Sequence, residues 1–200
     1  MGNTSETANL PYILDLSAPK TSYRITGPSY QERSDIYITK DSRVEFSAAD
    51  DLSGVDKISY QPEDASEPVV YSSPAAFPQE GRRLVRYWST DHVGNRELER
   101  AMMLITDNTG PEIFANFSLT PVGKGSDGEP VYRRSTALFL GATDDASGVR
   151  KIYYQLNGGK ETEYTTPVVL DHTGSFNLVV RAVDYVGNES TKPVSFSIKE

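Results

Sequence analysis

The residues best placed to do chemistry in this sequence are aspartates that recur in short, similar segments. Asp50-Asp51-Leu52-Ser53-Gly54-Val55 returns 94 positions later as Asp144-Asp145-Ala146-Ser147-Gly148-Val149. Asp91-His92-Val93-Gly94-Asn95 returns 93 positions later as Asp184-Tyr185-Val186-Gly187-Asn188. Asp15-Leu16-Ser17-Ala18-Pro19 is matched 92 positions later by Asp107-Asn108-Thr109-Gly110-Pro111. Carboxylates and amides gathered from three such segments suit Ca2+, which takes six to eight hard oxygen ligands. The same residue types also suit a purely structural task, because Asp and Asn cap turns through nearby N–H groups and Gly supplies positive φ. Neither set has the ligand spacing of an EF-hand loop. The candidate Ca2+ ligands are Asp15, Asp50, Asp51, Asp91 and Asn95 in one set and Asp107, Asp144, Asp145, Asp184 and Asn188 in the other, with turn capping as the competing reading.

Other chemistries find little support. There is no cysteine, which removes thiol catalysis, zinc–thiolate sites and disulfides. The two histidines, His92 and His172, fall in different halves of the chain and do not suggest a shared metal or proton relay. Gly123-Lys124-Gly125-Ser126 lacks the spacing of a phosphate-binding loop and reads as a flexible surface loop. Asp50/Asp51 and Asp144/Asp145 resemble a glycosidase pair only by count, since adjacent residues at a strand end point opposite ways. A net charge of −8 repels phosphate backbones and anionic lipid. No apolar run of 18 residues is present to form a membrane-spanning helix. These observations argue against an enzyme and against a nucleic-acid-binding protein.

The loops must be held by strands, because the intervening segments alternate with period two. Leu178, Val180, Ala182 and Asp184 share one face, and Val85, Tyr87, Ser89 and Asp91 share the equivalent face 93 positions earlier. Both faces read as inward. Ile152 and Tyr154 read as inward on Val149–Tyr154, which runs into the hairpin signal Asn157-Gly158. Further strands are expected at Asp35–Thr39, Arg43–Ala48, Leu98–Ile105, Thr136–Leu140 and Val194–Ile198. The alternation turns Trp88, Tyr153 and Arg181 outward, which makes them candidate ligand-binding residues. The competing reading lays Trp88 flat over neighbouring Arg or Lys stems, or under a loop.

The ordered set Asp-x-x-Ser-Gly-Val, Ile-x-Tyr, Tyr-x-x-Pro, Gly and Asp-x-x-Gly-Asn, present twice between Asp15 and Glu200, resembles the bacterial immunoglobulin-like repeats of surface and secreted proteins, including the "OmpL-type" repeat group. The resemblance implies an immunoglobulin-like module of a larger surface or secreted protein, without catalytic activity. The expected fold is all-β, with two tandem immunoglobulin-like antiparallel β-sandwich domains spanning 11–107 and 108–200. Residues 1–10 are expected to be disordered or a cloning remnant, with any export signal outside this sequence. The second acidic set is expected near the junction of the two domains. The expected function is a non-enzymatic extracellular spacer or adhesive repeat, stiffened by Ca2+ at its acidic loops. Its expected partner is a host or cell-surface protein or glycan. Its expected location is extracellular, at the cell surface or in the periplasm, and the isolated fragment is expected to be a monomer. The alternative is an accessory carbohydrate-binding module of a secreted enzyme, using Trp88.

Overall fold

A computed structural model describes residues 12–200, so the expectation for residues 1–10 lies outside the described part. Seventeen strands and no α-helix occur among these residues. The first eight are β1 (Lys20–Thr26), β2 (Ser29–Glu32), β3 (Asp35–Ile38), β4 (Arg43–Ala49), β5 (Val55–Pro62), β6 (Val69–Val70), β7 (Gly81–Asp91) and β8 (Arg100–Thr106). They form a two-stranded sheet, β1-β4, and a six-stranded sheet in the order β2-β3-β8-β7-β5-β6. The remaining strands are β9 (Glu112–Phe117), β10 (Gly123–Lys124), β11 (Pro130–Arg133), β12 (Thr136–Thr143), β13 (Val149–Leu156), β14 (Thr162–Glu163), β15 (Val168–Leu170), β16 (Gly174–Asp184) and β17 (Glu189–Lys199). They form a three-stranded sheet, β15-β12-β9, and a six-stranded sheet in the order β10-β11-β17-β16-β13-β14.

The two sheet pairs repeat one plan. β1 and β4 correspond to β9 and β12, β5 to β13, β7 to β16 and β8 to β17. The isolated Val44↔Ala75 bridge of the first repeat stands where Leu138↔Val168 joins β12 to β15 in the second. Each repeat thus sets one small sheet against a larger one, the layout of an immunoglobulin-like sandwich. The β2-β3, β5-β6, β5-β7, β9-β12, β10-β11, β12-β15, β13-β14, β13-β16 and β16-β17 ladders are antiparallel, whereas β3 on β8 and β11 on β17 run parallel. The antiparallel expectation therefore misses one short strand per repeat. In each case that strand is led by a reversal into the edge beside the last strand.

Alternation is met in full on β7 and β16, while Ile152 and Tyr154 on β13 are half-buried against the core. Leu178, Val180, Ala182 and Asp184 are all buried, as are Val85, Tyr87, Ser89 and Asp91. Asn157 and Gly158 have φ of 50° and 68°, the left-handed values that a two-residue hairpin turn demands. The β5–β7 and β13–β16 ladders carry the same irregularity, between Val55 and Lys57 and between Val149 and Lys151. A bulge of this kind re-aims a strand end, and both bulges lie immediately after an acidic loop. Gly123 and Lys124 are not a loose surface loop. They pair with Val131 and Pro130 as the hairpin β10-β11.

In the second repeat Phe196 is the centre of the core, stacked on Phe176 with a centroid separation of 5.2 Å and edge-on to Phe117 at 5.0 Å. Leu138, Leu178, Val180 and Ile198 complete the same cluster. In the first repeat the aromatic centre is Phe46, with Tyr60, Tyr71 and Tyr87 around it at 5.3–5.6 Å. Phe46 on β4 corresponds to Leu140 on β12, so the large ring sits on a different strand in each repeat. Cores tolerate such exchanges when their total volume and apolar pattern are kept.

Candidate functional site

Each repeat gathers three aspartates from the segment before its first strand, from the loop after β4 or β12, and from the end of β7 or β16. In the first repeat they are Asp15, Asp50 and Asp91, and in the second Asp107, Asp144 and Asp184. One carboxylate oxygen from each of the three lies within 4.8 Å of the other two, in both repeats. Asp107 and Asp184 are 0 % exposed. At an effective dielectric of about 20, two unit charges 4.8 Å apart repel by about 3.5 kcal/mol, so such a set requires compensation.

Hydrogen bonds supply much of it. Asp144 Oδ1 accepts from the N–H groups of Ala146 at 3.2 Å and Gly148 at 2.7 Å. Asp50 Oδ1 accepts identically from Leu52 and Gly54, at 3.1 and 2.8 Å. The turn closes because Gly54 and Gly148 have φ of 77° and 83°, where a side chain would be strained. Asp184 Oδ1 accepts from Gly187 and Asn188 N–H at 2.6 and 2.8 Å, and Asp91 Oδ1 from Val93 and Asn95 N–H at 3.0 and 2.7 Å. Asp107 Oδ2 accepts from Ser147 N–H at 3.0 Å, and Asp15 Oδ2 from Ser53 N–H at 2.9 Å. These last bonds tie the incoming chain to the first loop.

The two asparagines act as braces. Asn188 Nδ2 donates to Asp184 Oδ2 at 2.7 Å and to the Asp107 carbonyl at 3.0 Å. Asn95 Nδ2 donates to Asp91 Oδ2 at 2.7 Å and to the Asp15 carbonyl at 3.2 Å. Asp51 and Asp145 stay outside the clusters and are exposed, because each follows its capping neighbour at a position that turns away. Of the ten candidate ligands, six converge as carboxylates, two converge as amide donors and two do not converge.

Burial makes the two clusters electrostatically unequal. The Ser53 hydroxyl and the Ser17 N–H hold the Asp15 carboxyl down at about 2. Burial pushes Asp91 up, but the Asn95 side chain and N–H, with Ser53 and Val93, outweigh it and leave Asp91 below its ordinary value. At Asp184 burial wins over the Asn188 and Gly187 bonds, and Asp107 adds repulsion, so that carboxyl is raised.

Two serines of the repeated loops escape a reading built on carboxylates alone. Ser53 and Ser147 carry buried hydroxyls without a well-formed hydrogen bond among the described residues. Their signal was in the sequence, since Ser is a fixed letter of the doubled Asp-x-x-Ser-Gly motif.

The outward residues are covered. Trp88 is only 7 % exposed, with the Arg96 guanidinium 4.4 Å above its ring. Its expected exposure is corrected by that lid, which the alternation of β7 alone could not reveal because Arg96 lies beyond the turn. Tyr153 lies opposite Arg181 in the β13–β16 ladder, with the guanidinium 4.5 Å from its ring. Arg181 also pairs with Glu161 and Glu189, each at 2.7 Å.

No family model matches the chain, and no curated protein matches it significantly. Solved structures similar to it include the fibronectin(III)-like modules of CbhA from Clostridium thermocellum, at 12 % identity over 88 % of this chain and 93 % of that one, TM-score 0.43. Dimeric latent PorU from Porphyromonas gingivalis is similar at 11 % identity over 91 % of this chain but 20 % of its own, TM-score 0.37. The D00-D0 domain of intimin is similar at 9 % identity over 88 % of this chain and 99 % of its own, TM-score 0.35. The sheet plan defines the class: this is an all-β chain of two tandem immunoglobulin-like sandwiches. No helix among the described residues is long and apolar enough to cross a membrane.

Proposed function

We propose that this chain is a non-enzymatic structural segment, a spacer or adhesive repeat pair, of a larger exported bacterial protein. The observation that carries this reading is the doubled loop lock. In both repeats the residues that first looked chemical hold the entering chain, the first acidic loop and the second acidic loop together. An arrangement that pins the start of a domain to its far loops suits a module that bears load between neighbours. The resemblance of the motif set to surface and secreted repeats supports the same reading, as does the acidic net charge of −8.

The test is to stretch the whole chain by its ends in a force-spectroscopy experiment. A spacer gives two discrete unfolding events, each lengthening the chain by about 300 Å, the extended length of roughly 90 residues. Gradual extension without discrete events overturns the load-bearing role. A glycan array run on the same protein addresses carbohydrate binding. Saturable binding abolished by Trp88→Ala would replace the spacer reading with an accessory binding module.

A further inference from the structure

We propose that each acidic loop cluster is a divalent-cation site that prefers Ca2+. In the second repeat its ligands are Asp107, Asp144, Asp184 and the Ser147 hydroxyl, and in the first Asp15, Asp50, Asp91 and the Ser53 hydroxyl. The mutual separation of the carboxylate oxygens, within 4.8 Å, is what one ion requires. Ca2+ binds oxygen at about 2.3–2.6 Å, so oxygens on opposite sides of it stand at most about 5 Å apart. Mg2+ demands about 2.0–2.1 Å and a near-ideal octahedron, which oxygens fixed by backbone N–H bonds do not readily shrink to meet.

The hydroxyls point independently to a ligand. Ser147 is 7 % exposed, and its Oγ has no hydrogen-bond partner among the described residues. A buried hydroxyl costs free energy unless something satisfies it. Ser53, its counterpart, faces Asp15 and Asp91 and acts on both carboxyls, yet also lacks a well-formed hydrogen bond. A buried hydroxyl oxygen beside two carboxylates, with no well-formed hydrogen bond of its own, is a ready ligand for a hard cation. The capping bonds leave room for this role. Asp144 Oδ1 takes the two loop N–H groups and leaves Oδ2 to face the cluster without a hydrogen bond among the described residues, and Asp50 does the same. Asp50 and Asp144 are only half-buried, so water can complete the coordination.

The experiment is calorimetric titration of Ca2+ into the whole chain after chelator treatment, with thermal unfolding alongside. The expected result is two sites with dissociation constants on the order of 10−4 to 10−3 M, the range of extracellular modules, and a rise in Tm that Mg2+ does not equal. Asp144→Asn keeps the Oδ1 acceptor for the loop and removes one ligand charge, so the stoichiometry should fall from two to one. Ser147→Ala should weaken the second site several-fold while leaving the chelated protein as stable as before. No heat and no change in Tm at about 10 mM Ca2+, with the sheet signal of the folded chain intact, overturns the proposal. A Tm rise unchanged by Asp144→Asn combined with Asp50→Asn overturns it too, because the ions then bind elsewhere. Neither outcome depends on the spacer reading, which stands or falls on stretching and glycan binding.

Discussion

Just below the acidic clusters, Thr21, Ser89 and Glu97 of the first repeat stand where the second repeat has Ile113, Ala182 and Ser190. The Glu97 carboxylate accepts from the N–H of Thr21 at 3.1 Å, from the N–H of Ser89 at 2.9 Å and from both of their hydroxyls. Thr21 and Ser89 are fully buried. In the second repeat Ile113 and Ala182 fill the same place with aliphatic surface. One feature survives the exchange. Arg100 donates to the Thr21 carbonyl at 2.6 Å, and Lys192 donates to the Ile113 carbonyl at 2.9 Å. The first repeat therefore relies on a polar knot in which each partner needs the others, whereas the second relies on packing that tolerates small changes.

The largest effect expected from this contrast is that of Glu97→Ala. It leaves two N–H groups and two hydroxyls without their acceptor, which costs about 3 kcal/mol or more. Ser190→Ala in the second repeat should change stability by less than about 0.5 kcal/mol. Trp88 is the only tryptophan, so its fluorescence during urea unfolding reports the first repeat, and amide exchange at Leu178 and Val180 reports the second. Equal losses from the two substitutions would erase the distinction.

The next contrast lies in the acidic clusters themselves. Asp184→Ala orphans the N–H groups of Gly187 and Asn188 but also removes a carboxylate that burial disfavours, so its net cost is about 2 kcal/mol. Asp91→Ala removes the same bonds from a carboxylate that the fold holds below its ordinary value, and should cost more. The same probes check the order, and a larger loss from Asp184→Ala would refute it.

The same inequality sets the pH response in calcium-free buffer. Asp15 is depressed to about 2, so its contribution is complete above the ordinary value of 3.8 and is lost as pH falls toward 2. Asp184 is raised, so the folded second repeat holds that proton more tightly than the unfolded chain does. Its penalty is complete above the raised value and relieved as pH falls through it. Lowering the pH from neutrality toward 5 should therefore leave the first repeat unchanged and stabilise the second; below about 4.5 the second repeat loses the contributions of Glu129 and Glu161, whose carboxyls are held below their ordinary value, and below about 4 the first loses that of Asp15. Parallel curves for the two repeats would contradict the opposite shifts.

Much of this was legible in the sequence because period-two alternation and a doubled motif report directly on inward faces and on duplication. The buried sides of β7 and β16 and the Asn157-Gly158 turn follow from single residues and their spacing. The short parallel strands β3 and β11 do not, since a four-residue strand carries too little alternation to reveal its partner. Glu97 was missed for a related reason. It lies beyond the turn after β7, and nothing in its neighbours says that its carboxylate folds back onto Ser89. Asp51 and Asp145 show the converse limit: the motif repeats them faithfully, but adjacency to the capping Asp sends them out to solvent.

The outer faces offer a smaller test. Arg96→Ala strips the cation from Trp88 and should cost about 0.5–1 kcal/mol while exposing the ring to solvent and shifting its emission to longer wavelength. Arg181→Ala removes a similar contact with Tyr153 together with pairs to Glu161 and Glu189, and should cost about 1 kcal/mol. An unshifted emission in Arg96→Ala would mean that Trp88 is shielded by something other than that guanidinium.

A near-zero net effect from a multiple substitution is the most informative about the polar knot. Transplanting the second repeat's solution into the first, with Thr21→Ile, Ser89→Ala and Glu97→Ser together, removes every hydroxyl that Glu97 satisfies along with Glu97 itself. The Thr21 and Ser89 N–H groups lose one acceptor each, but the added aliphatic surface buries where the second repeat already buries it. Replacing a satisfied buried polar set by apolar residues of similar volume is commonly neutral or stabilising, so the triple variant should lie within about 1 kcal/mol of the original. Glu97→Ala alone and the triple variant then differ by several-fold in cost although both delete the same carboxylate. That difference measures coupling within the knot and not the strength of any single bond. If the triple variant unfolds as readily as Glu97→Ala, the knot is needed to hold Thr21 and Ser89 backbone in place, and the two repeats are not interchangeable solutions.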